Sequence, residues 1–192
     1  SVFVALTEKG LPFELRTVDL ERQGQHTPEY TGISATQRVP TLLHGDFALS
    51  ESSAITEYLE DVFPEQPIYP KDARQRATAR LVQAWLRSDF MPIRAERDTE
   101  VVFYGARRAP LSDEARRAAD KLVAGVNRLL PEGATHLFGE YSIADTDLAM
   151  MLMRLVAHGD EVPNYLREYA MKQRQRASVQ AWVRHPLRGA MK

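Results

Sequence analysis

The sequence of 192 residues contains no cysteine, and this absence excludes several classes of site at once. Disulfide bonds, thiolate metal centres and a cysteine nucleophile all need a thiol. Imidazole ligands are also poorly placed, because no histidine has a second histidine at helical spacing and the pattern His-Glu-x-x-His does not occur. The five histidines are His26, His44, His136, His158 and His185. We therefore expect no metal site.

Long apolar runs and an excess of one charge are lacking as well. No stretch approaches the roughly 20 apolar residues that a membrane-spanning helix needs. The 25 basic and 26 acidic side chains leave a net charge of −1, so no overall field attracts nucleic acid or anionic lipid. A phosphate-binding loop, a nucleophile elbow and a dinucleotide fingerprint are also missing. We expect a globular protein without nucleic-acid or membrane partners.

Two short motifs lie close together in the first third of the chain. The segment Arg38-Val39-Pro40 leads into an apolar run, and the backbone of Val39 can face a ligand because a residue before proline avoids the helical region. Glu51 and Ser52 precede an amphipathic helix, with Ser52 predicted as its N-cap. Free N–H groups at such a helix start can hold a carboxylate. The apolar face of that helix consists of Ile55, Tyr58, Leu59 and Val62.

This pair of motifs resembles the glutathione site of the glutathione S-transferase family. In that family, a Val-Pro pair with a cis bond contacts the cysteinyl backbone of glutathione, and a Glu-Ser or Gln-Ser pair holds the γ-glutamyl end. The resemblance extends over most of the chain and is strong again at Ser142-Ile143-Ala144-Asp145. It implies that glutathione is a co-substrate and that its binding residues are Arg38, Val39, Pro40, Glu51 and Ser52.

Two of these residues also have plainer explanations. Ser52 could act only as a helix cap, a role that is compatible with binding. Arg38 could be an ordinary surface residue beside a strand, or its side chain could reach the glycine carboxylate of glutathione. Asp145, three residues after Ser142, has capping-box spacing rather than the character of a catalytic acid.

The local patterns predict an α/β domain followed by an all-α domain. The first domain, residues 1–63, should be thioredoxin-like, and the second, residues 73–192, should be a helical bundle. The proline-dense residues 64–72 form the predicted linker. In the first domain we predict helices at 1–9, 27–30 and 52–62, a strand at 13–18 and a hairpin of 41–44 with 47–49. In the second we predict a long helix bent at Pro92, a helix at 113–129 capped by Ser112, a buried helix after Ser142, and shorter helices at 165–176 and 179–184.

A thioredoxin-like domain would open with one more strand than this sequence shows. In the family that the chain resembles, the thiol-activating serine, tyrosine or cysteine lies in the turn after that strand. We therefore expect the catalytic residue to precede Ser1, with Ser1 itself as the alternative within the sequence. On this interpretation, residues 1–192 alone should have little activity.

The resemblance implies a cytoplasmic, homodimeric glutathione transferase. Such an enzyme joins the glutathione thiolate to a hydrophobic electrophile or uses it to reduce a peroxide. We place the second substrate between the two domains against Phe90, Met91 and Arg94, residues that could equally be interior or dimer surface. The alternatives are a non-enzymatic binding or regulatory protein of the same fold and a glutathione-dependent isomerase.

Overall fold

The computed structural model describes residues 1–189, which form two compact units. The first unit comprises Ser1–Ile68 together with the segment that begins at Gln180, and the second comprises Tyr69–Val179. The boundary between the two units, at Ile68 and Tyr69, falls inside the predicted linker. The prediction from the sequence assigns the C-terminal segment to the second domain. Its aromatic side chains pack in the first unit instead, where the Trp182 and Phe3 ring centroids are 5.2 Å apart.

The first unit has the thioredoxin-like order of a helix, a small sheet and a second long helix. Its elements are α1 (Val2–Glu8), a 3₁₀ turn (Gly24–His26), α2 (Pro28–Thr31), β1 (Thr41–His44), β2 (Phe47–Ser50) and α3 (Ser52–Val62). The strands pair antiparallel with Thr41 opposite Ser50 and His44 opposite Phe47, which confirms the predicted hairpin. Gly45 has φ +63° in the two-residue turn, a conformation that glycine adopts without steric cost.

The strand predicted over residues 13–18 does not form. Within residues 1–189, the sheet contains β1 and β2 alone, so this segment has no neighbouring strand with which to exchange backbone hydrogen bonds. Alternating side chains favour an extended chain, but a strand also needs a pairing partner. Phe13 instead packs edge-on against Phe3 of α1, with ring centroids 5.3 Å apart.

A buried ion pair joins α1 to the end of α3. The Lys9 ammonium follows the last turn of α1 and donates to Glu60 Oε2 at 2.7 Å, Phe63 O at 2.8 Å and Gln66 O at 2.9 Å. Glu60 also accepts from the backbone N–H of Ile68 at 3.0 Å. All three ammonium protons therefore have acceptors, as burial of a charged group requires.

The second unit is helical, as predicted. Its elements are α4 (Ala73–Ser88), α5 (Met91–Glu96), α6 (Thr99–Tyr104), α7 (Asp113–Leu129), α8 (Ile143–His158) and α9 (Asn164–Arg174). After α9 the chain forms α10 (Ala177–Val183) and α11 (Pro186–Gly189). The helix predicted to bend at Pro92 is interrupted between α4 and α5. Pro92 lies in the first turn of α5, where its missing N–H leaves no hydrogen bond unmade. Among residues 1–189, none of the helices combines the length and apolar character needed to cross a bilayer.

The core of the second unit is built around α8. Leu148, Leu152 and Leu155 are fully buried, and α4, α6 and α9 pack against this helix. Ser142 and Asp145 form the predicted capping box at its start. The buried Asp145 carboxylate also accepts from the Leu137 backbone N–H at 2.8 Å and so anchors the preceding loop.

Candidate functional site

The first predicted motif lies immediately before β1. The Val39–Pro40 peptide bond is cis, as the resemblance implies, and Val39 is 42% exposed. Arg38 and Pro40 are also exposed. The segment Arg38–Pro40 therefore lies at the surface of the first unit.

The second motif forms a sharp turn between β2 and α3. Glu51 has φ 76° and ψ 117°, a region that residues with side chains seldom adopt. Strained backbone of this kind is concentrated at ligand-binding and catalytic sites. The Glu51 carbonyl accepts the first hydrogen bond of α3, from the Ile55 N–H at 2.9 Å.

This hydrogen bond corrects the predicted position of Ser52. The N-cap is the residue whose carbonyl accepts the first helical bond, so Glu51 is the N-cap and Ser52 is the first helical residue. The spacing of apolar residues in the helix does not predict the turn at Glu51. This turn places the N-cap one residue earlier than predicted. The Ser52 hydroxyl donates to Glu51 Oε1 at 3.5 Å and stays at the start of the helix.

The hairpin brings the two motifs together. Thr41 and Ser50 are paired across β1 and β2, and directly opposed residues in an antiparallel pair have Cα atoms about 4.5–5.5 Å apart. Pro40 precedes Thr41 and Glu51 follows Ser50, so the two motifs lie side by side at one end of the hairpin. The N-terminal dipole of α3 adds positive potential there.

Four hydroxyl groups form hydrogen bonds that connect the first motif to the second. We call this set, Tyr30, Ser34, Thr41 and Ser50, the hydroxyl cluster. Tyr30 OH donates to the carbonyl oxygen of Arg38 at 2.9 Å, and Ser34 and Ser50 are joined through their Oγ atoms at 2.9 Å. Sequence analysis missed this cluster because its members come from α2, the following loop and both strands. These four residues share no spacing in the sequence that would predict their contact. Only the pairing of Thr41 with Ser50 across the hairpin indicates that two of them lie close together.

The residues predicted to contact a second substrate lie in the second unit. Phe90 is fully buried, and its ring packs edge-on against Trp85 at a centroid distance of 4.7 Å. Met91 is 55% exposed, and Arg94 is partly exposed. Met91 and Arg94 can therefore meet a small molecule, whereas the Phe90 ring is covered by its own unit.

Ser1 lies at the N-cap position of α1 and is exposed. Its carbonyl accepts from the Ala5 N–H at 2.8 Å. Over residues 1–189, no group of three or more His, Asp or Glu side chains is arranged to hold a metal ion.

Family models match both units of the chain. Residues 1–62 match the glutathione S-transferase N-terminal domain, and residues 72–186 match the glutathione S-transferase C-terminal domain. The second match alone covers more than half of the sequence. The chain belongs to the glutathione S-transferase family.

Individual family members are similar over different lengths. A glutathione transferase homolog from Burkholderia, solved with bound glutathione, is 45% identical, with a TM-score of 0.76 over 95% of this chain and 87% of that chain. A maleylacetoacetate isomerase from Methylobacterium extorquens, solved with malonate and glutathione, is 28% identical, with a TM-score of 0.74 over 97% and 91%. Glutathione S-transferase 1 of Dianthus caryophyllus is 45% identical over 76 residues, which is 40% of this chain and only 34% of the plant protein.

Proposed function

We propose that this protein is a glutathione transferase that binds glutathione on Arg38–Pro40 and Glu51–Ser52. The observation that carries the proposal is the meeting of the exposed Arg38–Pro40 segment and the strained Glu51 turn at one end of the hairpin. The Burkholderia homolog with bound glutathione supports it, because the likeness extends over nearly the whole chain at 45% identity.

Each residue has a distinct role in the proposed complex. The N–H and C=O of Val39 pair with the cysteinyl backbone of glutathione, as an added strand would. Ser52 and the start of α3 hold the γ-glutamyl carboxylate, and Glu51 accepts from the γ-glutamyl ammonium. Arg38 pairs with the glycine carboxylate, and Pro40 completes the segment that borders the bound peptide.

The proposed reaction uses the glutathione thiolate as the nucleophile. A free thiol has a pKa near 8.5, and hydrogen-bond donors or a positive potential lower it by stabilising the anion. The sulfur lone pair forms a C–S bond to an electrophilic carbon, and the leaving group departs with the displaced electron pair. With a hydroperoxide as substrate, the thiolate attacks one peroxide oxygen, so that an S–O bond forms as the O–O bond breaks. Glutathione becomes a sulfenic acid, and the alkoxide that leaves takes a proton from water to become an alcohol.

Thiol activation can be tested at Ser1. If the Ser1 hydroxyl supplies the activating hydrogen bond, Ser1→Ala should reduce the rate of conjugation at saturating glutathione by about 10-fold or more. An unchanged rate would remove Ser1 from the catalytic residues. The affinity for glutathione, measured in parallel, separates an effect on the thiol from an effect on binding.

The binding site is tested by calorimetric titration of glutathione. Ser52→Ala should weaken binding by about 1–3 kcal/mol, because a charged carboxylate loses a hydrogen-bond donor. Ser53→Ala is the matched control, since it removes the same hydroxyl one residue further into α3. Equal affinity of wild type and Ser52→Ala would exclude Ser52 from the site, and a wild-type protein that does not bind glutathione would contradict the proposal as a whole.

A glutathione-dependent isomerase is the second candidate function. It is favoured by the likeness to the maleylacetoacetate isomerase of Methylobacterium extorquens, which spans 97% of this chain. Arg94 is a partly exposed cation that suits a substrate carboxylate, with Met91 as an apolar neighbour. An isomerase returns glutathione unchanged, so thiol titration distinguishes the two functions. Conjugation of a nitroaryl chloride consumes thiol, whereas cis–trans isomerisation of a maleyl compound does not.

A further inference from the structure

We propose that the hydroxyl cluster positions the glutathione-binding backbone of Val39. The inference rests on the proposed function and deepens it, because it assigns a role to four residues that do not themselves touch glutathione. The cluster contacts the first motif at one atom, the carbonyl oxygen of Arg38.

Three hydroxyl groups lie within hydrogen-bond distance of the Arg38 carbonyl oxygen. Tyr30 OH donates to it at 2.9 Å, and the Ser34 and Thr41 hydroxyls lie 3.4 Å from it. This C=O and the N–H of Val39 belong to one planar peptide unit, and in a trans peptide they point in opposite directions. Holding the carbonyl against the cluster therefore directs the Val39 N–H away from it, toward the position proposed for the cysteinyl backbone.

The same cluster reaches the second motif through Ser50. Ser50 Oγ lies 2.9 Å from Ser34 Oγ and 3.1 Å from Thr41 Oγ1, and Tyr30 OH lies 2.9 Å from Thr41 Oγ1. Ser50 is the residue before the strained Glu51. The network thus links the peptide that precedes Val39 to the strand end that precedes Glu51, so both halves of the proposed site share one support.

The hydroxyl cluster is partly or fully shielded from water. Ser34 is 1% exposed, and Tyr30, Thr41 and Ser50 are partly buried. Each hydroxyl has a single proton to donate, so loss of one member leaves a neighbour without its donor or acceptor. Hydrogen bonds in such a chain strengthen one another, and we expect removal of one hydroxyl to loosen the Arg38 peptide as a whole.

A purely structural role is the competing explanation, and it predicts a different pattern of effects. Hydroxyls that only stabilise the first unit would lower its melting temperature without changing glutathione affinity in the folded protein. Positioning hydroxyls change the dissociation constant and the KM for glutathione, while kcat at saturating glutathione changes little. The distinction requires stability and binding to be measured on the same variants.

The experiment uses Tyr30→Phe, Thr41→Val and Thr41→Ser in the full chain. We expect Tyr30→Phe and Thr41→Val to raise the glutathione dissociation constant by about 3- to 10-fold, the effect of one hydrogen bond. Thr41→Ser keeps the hydroxyl and should stay within about twofold of wild type. Tyr58→Phe is the matched control, because its hydroxyl pairs with His44 Nδ1 at 2.8 Å in the same unit, outside the cluster.

The outcomes separate this inference from the proposed function. If wild type binds glutathione and the two cluster variants bind it as tightly, or lose no more affinity than Tyr58→Phe, the positioning role is wrong and the proposed function stands. If wild type does not bind glutathione, both are wrong. If Tyr30→Phe does not fold, the comparison of Thr41→Val with Thr41→Ser decides the question by itself.

Discussion

Lys9 shows how much a single side chain contributes to the first unit. Its ammonium is shielded from water and bonded to Glu60 and to two backbone carbonyls, those of Phe63 and Gln66. It therefore fixes the end of α1 to both α3 and the segment that follows α3. A hydrophobic residue of similar length would fill the space but leave a buried carboxylate and two carbonyls without their donor.

We predict that Lys9→Met lowers the free energy of unfolding by about 3–5 kcal/mol, because the Glu60 charge loses its buried partner. Urea denaturation measures this. Arg16→Met is the control, since Arg16 and its partner Glu14 have side chains that are 77% and 73% exposed and form a surface pair. Lys9→Met/Glu60→Leu should recover part of the loss, and a Lys9→Met protein as stable as the Arg16 variant would contradict the prediction.

A second buried cation makes the second unit sensitive to acid. The Arg97 side chain is fully buried and donates to both carboxylate oxygens of Asp160, at 2.6 Å and 2.9 Å. Burial alone would raise the pKa of Asp160, but the hydrogen bonds and the positive charge of Arg97 outweigh it and hold that pKa below its usual value. The depressed pKa gives stability that is present above the unfolded-state pKa of about 3.9 and is lost as the pH falls below it.

We predict that Asp160→Asn removes part of this acid dependence. At neutral pH the free energy of unfolding of the variant should be about 1.5–3 kcal/mol lower than that of wild type, because Arg97 loses a charged acceptor. This difference in the free energy of unfolding should become smaller as the pH approaches 3. Urea denaturation at several pH values tests this. Asp120→Asn, on an exposed face of α7, is the control. Parallel curves for wild type and Asp160→Asn across the whole range would exclude the Arg97–Asp160 pair as a source of acid sensitivity.

At the scale of elements, the start of α8 depends on one carboxylate more than on its serine cap. Asp145 accepts from the Ser142 N–H at 2.8 Å, the Leu137 N–H at 2.8 Å and the Tyr169 hydroxyl at 2.7 Å. Burial raises the pKa of Tyr169, so its hydroxyl stays protonated and remains a donor. Asp145 thereby ties α8 to α9 and to the loop before it.

We predict that Asp145→Ala is much more destabilising than Ser142→Ala. The aspartate variant leaves several buried donors unpaired and should lose about 3–5 kcal/mol, whereas loss of the serine cap should cost about 1 kcal/mol. Thermal unfolding, monitored by circular dichroism, shows which of the two variants is less stable. Asp113→Ala, in the exposed first turn of α7, is a control for loss of a charge near a helix start, and the reverse order of Asp145 and Ser142 would contradict the assigned role.

Elements with local signals were the ones that sequence analysis could predict. The Ser112 cap and the Ser142–Asp145 box each act within a few residues, and the structure confirms the helices that they begin. The cis Val39–Pro40 bond is different, because only the family resemblance implied it.

Features that depend on distant residues were missed or misplaced. The predicted strand at 13–18 fails for lack of a paired neighbour, and the turn at Glu51 moves the start of α3. The hydroxyl cluster combines Tyr30 with both strands of the hairpin, so its members share no local pattern. In each case the deciding contact joins parts of the chain that local periodicity cannot relate.

At the scale of the whole molecule, we predict a two-fold homodimer. The family resemblance motivates it, and Leu81 and Met91 of the second unit provide exposed apolar surface, at 56% and 55% exposure. Light scattering at micromolar concentration should give about twice the 21.8 kDa mass of the chain. Leu81→Glu should shift the mass toward the monomer, whereas Leu20→Glu, at a residue 51% exposed in the first unit, should not. A 21.8 kDa particle for wild type would contradict the prediction.

The packing of Trp182 and His185 against Phe3 has a consequence for how the protein is made. The ribosome completes Phe3 long before the two rings that cover it, and at about 5–20 residues per second the delay is roughly 10 to 40 s. During that interval the aromatic face of α1 lacks the rings of Trp182 and His185, and it gains them only after the second unit, which ends at Val179, has been synthesised. The first unit therefore cannot complete its packing before the second is made, against the usual N-to-C order of domain folding, and the aromatic face of α1 is the surface that a chaperone would meet.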